Sequence, residues 1–301
     1  RQMCIRDSYE DVRPGDDANF YSVHVRILEF IEQSGVTAQV RFDLAQMKKM
    51  TARGVPWNVN YDAYAQAQQT FICPSDANAQ RIISENNYRC NVGGETPYGG
   101  SISTRAQQSD DGTDSQGFPV TGNGPFVTGL ALPASAILDG LSTTAFFSER
   151  TMGSGGDPTQ SPPADSDIVT MPSRRALPGR DLMFHACQGY VPAVSPYNFT
   201  AAGRWLDGSD WSNGWPFAGF DATQYNHVAP PNWSGQDCGN WSAIPDTPGE
   251  HAIISARSEH PGIVNVAFGD ASVHAIGDSI DLQVWRALGT RASGEAVSIP
   301  D

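Results

Sequence analysis

The sequence predicts an α+β fold: an antiparallel sheet with helices packed on it and long loops over its surface. Three observations carry this. Residues 263–268 alternate apolar and polar, a second extended run follows a short break, and an amphipathic helical pattern comes next. Near the start, apolar residues recur at helical spacing. Between these regions lie stretches rich in Gly, Ser, Asp and Pro that cannot bury enough surface to fold alone.

In chain order, Val23 to Gln33 places Val23, Ile27, Leu28 and Ile31 on one helical stripe, with Ser34-Gly35 as the stop, and this helix is expected to pack on the sheet. His24 within it reads as a packing or surface histidine. Residues 61–70, rich in Ala and Gln, favour a second helix. Phe71-Ile72 reads as a strand end running into the turn Cys73-Pro74-Ser75-Asp76, and NNYRCNV around Cys90 as a strand. Residues 93–124 and 151–179 read as loop insertions. Between them Phe126 to Leu130 and Thr143 to Glu149 are predicted strands, with Asp139-Gly140 as a turn. Glu149 is read as a strand-end carboxylate paired with a nearby donor.

The C-terminal unit is the clearest. Val264, Val266 and Phe268 should share one strand face, and Ser272 to Ile276 should return as the antiparallel partner. Asp278 or Ser279 is placed to cap a helix whose stripe is Leu282, Trp285, Ala287 and Leu288.

The chain has 301 residues, 39% hydrophobic and 10% aromatic, enough for a sizeable core, and no internal repeat argues for two domains. With 33 acidic residues against 19 basic ones, the net charge of -14 repels phosphate backbones and excludes nucleic acid as a partner. No run approaches the roughly 18 to 20 apolar residues that cross a bilayer. Residues 1–8, RQMCIRDS, resemble translated sequencing-adapter read-through and are set aside.

Catalytic signatures are missing: the sequence has no G-x-S-x-G, G-x-x-x-x-G-K, H-E-x-x-H or G-x-G-x-x-G. No enzyme activity, cofactor or metal is expected. His251, His260, Asp270, His274 and Asp278 lie close in sequence, but a hairpin spreads its side chains over two faces. Residues 109–114, SDDGTD, cluster hard oxygens suited to calcium; without full EF-hand spacing and its distal Glu, a solvated acidic loop is the preferred reading. Trp205, Trp211, Trp215, Trp233 and Trp241 sit among Asp, Asn and Ser, which suits either a sugar-stacking surface or a loop-rich core. The four cysteines beyond residue 8, Cys73, Cys90, Cys187 and Cys238, contain no C-x-x-C pair, so disulfides are preferred over zinc or redox chemistry.

His260, nine intervening residues, then Asp270 resembles the prepilin-type processing-associated H-X9-DG signature of large planctomycete domain-of-unknown-function proteins, which are similar to pseudopilins. The blocks WNVNYDAYAQAQQTFICPSD, NNYRCNVGG, ILDGLSTTAFFSER, YNHVAPPNW and VWRALGTRASGEAVS resemble that family in its order. The resemblance marks His260, Gly262, Asn265, Asp270, Asp139, Gly140 and His227 as motif residues. Together with proximity in sequence, it favours the pairings Cys73–Cys90 and Cys187–Cys238. Ala271 stands where the family has Gly, so Gly269 is expected to supply the positive φ of a type II′ turn; Leu141 and Thr143 replace the usual Thr and Asn.

The resemblance implies that residues 9–301 form one extracytoplasmic, pseudopilin-like head. Its pilin helix, missing from these 301 residues, is expected upstream of Tyr9 as the anchor of a precursor. The implied function is a non-enzymatic structural subunit of, or client exported through, a pilus-like or type II secretion-like assembly. Its partners would be other pilin-like or secretion-system subunits, with membrane contact only through that helix. The alternative is an extracellular solute- or glycan-binding module.

Overall fold

The computed structural model describes residues 21–43, 47–48, 57–58, 60–67, 69–79, 86–94, 122–127, 131–154, 162–170, 179–189, 215–216, 218–220, 222–241, 248–295 and 297–299. The chain begins with α1 (Val23–Ile27), a 3-10 turn (Leu28–Phe30), α2 (Ser34–Thr37), the short strands β1 (Met47–Lys48) and β2 (Trp57–Asn58), and α3 (Tyr61–Gln66). It continues through β3 (Tyr88–Asn91), β4 (Ala145–Glu149), β5 (Ile168–Thr170), α4 (Arg180–Gln188), β6 (Gln224–Tyr225), β7 (Asp237–Trp241) and β8 (Pro248–Ile253). The hairpin β9 (Ile263–Phe268) and β10 (Val273–Gly277) and the helix α5 (Leu282–Leu288) close it. The fold is α+β, as expected.

A five-stranded sheet runs β10-β9-β4-β3-β6, and a three-stranded one runs β5-β7-β8. They are not purely antiparallel, because β3 pairs with β6 and β5 with β7 in parallel. The alternation predicted for β9 holds: Val264, Val266 and Phe268 are buried and their neighbours are partly exposed. With Ile276, Trp285, Leu288 and Tyr225 they form the main core. Each such apolar side chain fully buried contributes roughly 1.5 to 3 kcal/mol.

Several elements depart from the sequence reading. The helix expected over Val23 to Gln33 breaks into α1 and a 3-10 turn, and Glu32 turns the chain with φ 64. Ser34-Gly35 then starts α2 instead of capping. The break folds the chain back, so that Val25 and Leu28 join Val36 and Val40 against Tyr64 and Trp215. Val23, His24 and Ile27 reach the main sheet, through Cys90, Phe147 and the Tyr88 carbonyl. The second helix is shorter than expected, ending at Gln66. Val127 makes a single bridge where a strand was predicted, and residues 128–130 lie outside the described set. The 151–179 loop contains β5, whose Ile168, Val169 and Thr170 suit a strand despite their polar surroundings. The 93–124 loop is pinned at its mouth by the Gly124 N–H on the Val92 carbonyl (3.0 Å); residues 95–121, with the acidic cluster 109–114, lie outside the described set. The cap of α5 is Asp281, not Asp278 or Ser279: its carboxylate accepts from the Gln283 and Val284 N–H groups.

The hairpin tip also differs. Gly269 does not carry the positive φ; Ala271 does, at 69°. The Ala271 N–H donates to the Phe268 carbonyl (3.0 Å) and the Phe268 N–H to Ser272 (2.9 Å), the pattern of a three-residue loop ending in a left-handed residue. Gly269 is needed for space, since a Cβ there would stand 2.6 Å from Phe146 and 2.9 Å from Leu141. A left-handed Ala costs about 1 to 2 kcal/mol, partly offset by the greater unfolded-state freedom of Gly. Ala271→Gly is therefore expected to raise stability by about 0.5 to 1 kcal/mol in urea unfolding; an unchanged or lower midpoint would contradict this geometry.

Candidate functional site

Asp139, Gly140, His260, Gly262, Asn265 and Asp270 lie near the ends of β4 and β9, whereas His227 lies against Trp285 and Tyr225. Asp139 receives the C-terminal tail: its Oδ2 accepts from Thr290 Oγ1 (3.0 Å) and the Ser293 N–H (2.9 Å), its Oδ1 from the Gly294 N–H (2.8 Å). Gly140 follows at φ 101, a value suited to glycine. Glu149, at the end of β4, holds the neighbouring strand. One oxygen accepts from the Asn265 N–H (2.8 Å), and the other from Asn265 Nδ2 (3.0 Å) with His260 Nε2 3.4 Å away. Gly262 makes the intervening turn at φ 74 and accepts from the Asp278 N–H at the far strand end.

His260 and Asp270 do not meet. Asp270 is exposed and serves its own turn, accepting from the Ser272 N–H (2.9 Å) and hydroxyl (2.6 Å). These Ser272 hydrogen bonds hold its carboxyl below the usual range. His274 turns back onto Ser272 and Phe268, and among the described residues no cluster of three His, Cys, Asp or Glu side chains can hold a metal.

His227 is completely buried and stacked on Trp285, ring centroids 3.8 Å apart. Its Nδ1 lies 2.7 Å from the Trp285 carbonyl, which can only accept, so that nitrogen carries the proton and Nε2 accepts from the Tyr225 hydroxyl at 2.9 Å. Burial pushes its pKa down to about 3, with the Trp285 carbonyl opposing.

Beside Glu149 and His260 lies a small cleft of about 20 Å³, far below the roughly 300 to 1,000 Å³ of ordinary ligand pockets. Cys73, Asp76, Arg150 and Arg257 also line it. Behind it is a buried ion cluster that the sequence reading missed. Asp237 pairs with Arg150 (3.0 Å) and Arg257 (3.3 Å) and accepts from Trp233 Nε1 (2.9 Å) and the Ser255 hydroxyl (2.8 Å). Burial alone would raise the Asp237 carboxyl, but the two guanidiniums and these hydrogen bonds outweigh it and hold it low. Asp76 and Asp167 are likewise buried and satisfied by loop donors such as the Met152 and Ser154 N–H groups. The available signal was the charged pair Glu149-Arg150 at the end of the predicted strand Thr143 to Glu149, where a buried charge demands a partner.

Of the two expected disulfides, Cys187–Cys238 forms, tying α4 to β7 with Cα atoms 5.5 Å apart. Cys73–Cys90 does not. The Cys73 N–H bonds to Asn87 Oδ1, which sets it beside the start of β3, and Cys90 lies three residues further along, packed with Val23 and Phe126. At about 3.3 Å per strand residue the separation is roughly 10 Å, beyond disulfide reach. Alkylation without reductant should label Cys73 and leave Cys187 and Cys238 unlabelled by mass spectrometry; a protected Cys73 would contradict this arrangement.

The tryptophans divide. Trp215 is fully buried against Tyr64 and Phe71, and Trp233 is buried against Phe184 with its N–H on Asp237. Neither presents a face for stacking a ligand, because each ring fills core volume. Trp205, Trp211 and the Trp241 side chain lie outside the described residues.

Fold and site together define an α+β domain in which Asp139, Asn265 and His227 hydrogen-bond to other parts of the same chain. The family model SBP_bac_10, described as "Protein of unknown function (DUF1559)", matches residues 4–283, so the chain belongs to that family. The match reaches into the first eight residues and stops before the VWRALGTR block. No curated protein and no solved structure matches the chain.

Proposed function

We propose that the chain is the extracytoplasmic head of a non-enzymatic structural subunit, or exported client, of a pilus-like or type II secretion-like assembly. The observation that carries this is the use of three of the residues that the resemblance marks: Asp139 binds the tail, Asn265 the neighbouring strand through Glu149, and His227 a helix carbonyl. A reactive centre would leave such groups facing a cavity. Cys73 shares the cleft with His260, yet no hydrogen bond joins them among the described residues, so the pairing that activates a thiol is not assembled. The Cys187–Cys238 bond suits an oxidising compartment. The alternative, a glycan- or solute-binding module, loses Trp215 and Trp233 as stacking faces.

Cross-linking in producing cells, with mass-spectrometric identification of the neighbours, tests the proposal. Pilin-like or secretion-system subunits are the expected neighbours. A head with no protein neighbour that carries a co-purifying solute or glycan would favour the alternative.

A further inference from the structure

The outer edge of β10 is open. The hydrogen bonds from the Phe268 N–H to Ser272 and from the Asp278 N–H to Gly262, with the register His274↔Val266 and Ile276↔Val264, turn the even-numbered residues toward β9. Antiparallel alternation then points the N–H and C=O groups of Val273 and Ala275 away from the sheet. Among the described residues no strand pairs there, and both residues are exposed, Val273 at 64%. Edges of this kind are normally blunted by Lys, Pro or a bulge. Val273–Gly277, VHAIG, has no Lys, Arg or Pro, and its pairing with β9 runs without a register shift.

The flanks give the occupant its chemistry. Glu259, Asp270, Asp278 and Asp281 are exposed, and no Lys or Arg occurs between Arg257 and Arg286. A second copy pairing antiparallel would bring the Asp270 end of one edge to the Asp278 end of the other, a like-charge contact on a chain of net charge -14. We propose that β10 is the docking edge for an extended polypeptide segment of a partner protein, with basic residues at its ends and β-branched residues between, added to the sheet as a further strand. The inference is independent of the assembly reading, since a binding module would use the edge in the same way.

The probe is a heptapeptide of alternating valine and threonine with lysine at each end. Titrated into the full chain and followed by amide NMR and hydrogen exchange, it should protect the Val273 and Ala275 amides. Ala275→Pro removes an outward N–H that β9 does not use. It should keep the thermal midpoint and weaken peptide binding about ten-fold, the loss of one main-chain hydrogen bond and its register. Val273→Lys, placing a cation on the same edge, should weaken it in the same sense, and the double change Asp270→Asn with Asp278→Asn should flatten the salt dependence. Several outcomes would overturn the proposal: no protection of these amides, equal binding to the Ala275→Pro and Val273→Lys chains, or equal binding of a peptide ending in glutamates. Concentration-dependent dimerisation abolished by Ala275→Pro would assign the edge to a second copy instead.

Discussion

Acidification from pH 7 to pH 4 is expected to remove several kcal/mol of folding stability, before most carboxylates are protonated. Two histidines are responsible. His24 is buried, with Nε2 2.6 Å from the Tyr88 carbonyl, Nδ1 without a partner, and its ring edge-on to Phe71. Burial lowers its pKa to about 4, the Tyr88 carbonyl opposing and Arg89 adding to the fall. His227 lies still lower, at about 3. Both pKa values are depressed in the folded state, so the stability is present above the unfolded value of 6.5 and lost as pH falls toward 4 and 3. With 1.36 kcal/mol for each pKa unit, each histidine accounts for on the order of 3 kcal/mol at pH 4. Urea unfolding from pH 7 to 4 should show this slope, and His24→Gln or His227→Gln should each remove about half of it. A slope unchanged in both variants would contradict the burial of these rings.

Replacing Asp237 with alanine is expected to cost about 3 to 5 kcal/mol, because Arg150 and Arg257 would be left charged without their buried counter-ion. The Arg150 side chain has no solvent exposure and its Nε already lacks a partner, so it cannot relax into water. Since Asp237 precedes Cys238, the disulfide fixes the strand that positions the carboxylate. Asp237→Asn keeps the shape and some hydrogen bonds but not the charge, and should fall between the parent and Asp237→Ala. A cost below about 1 kcal/mol for Asp237→Ala would mean that the arginines find other partners.

What was legible in the sequence was the local pattern. The faces of β9, the β9-β10 pairing and the stripe of α5 follow from periodicity alone. Glu149 was readable as a strand-end carboxylate, and Asn265 supplies its donors. What could not be read depends on tertiary contact. The parallel pairings β3-β6 and β5-β7 join segments far apart in sequence. Glu32 breaks a helix because the Trp215 core draws both of its flanks inward. The Ala271 conformation was missed because the tip docks on residues 141–144, where Gly269 has no room for a side chain and the loop places its left-handed position two residues later. Cys73 and Cys90 are close in sequence, yet strand geometry separates them.

The central claim, that the motif residues are architectural clasps, is tested most directly by thermal unfolding of the parent and of Asp139→Asn, Glu149→Gln and His260→Ala, each with and without a chelator. The account predicts that Asp139→Asn and Glu149→Gln each lose about 1 to 3 kcal/mol, that His260→Ala, whose ring is 44% exposed, loses less, and that the chelator changes nothing in the parent. A chelator-induced drop in the parent that His260→Ala abolishes would contradict it and assign these residues to a metal site.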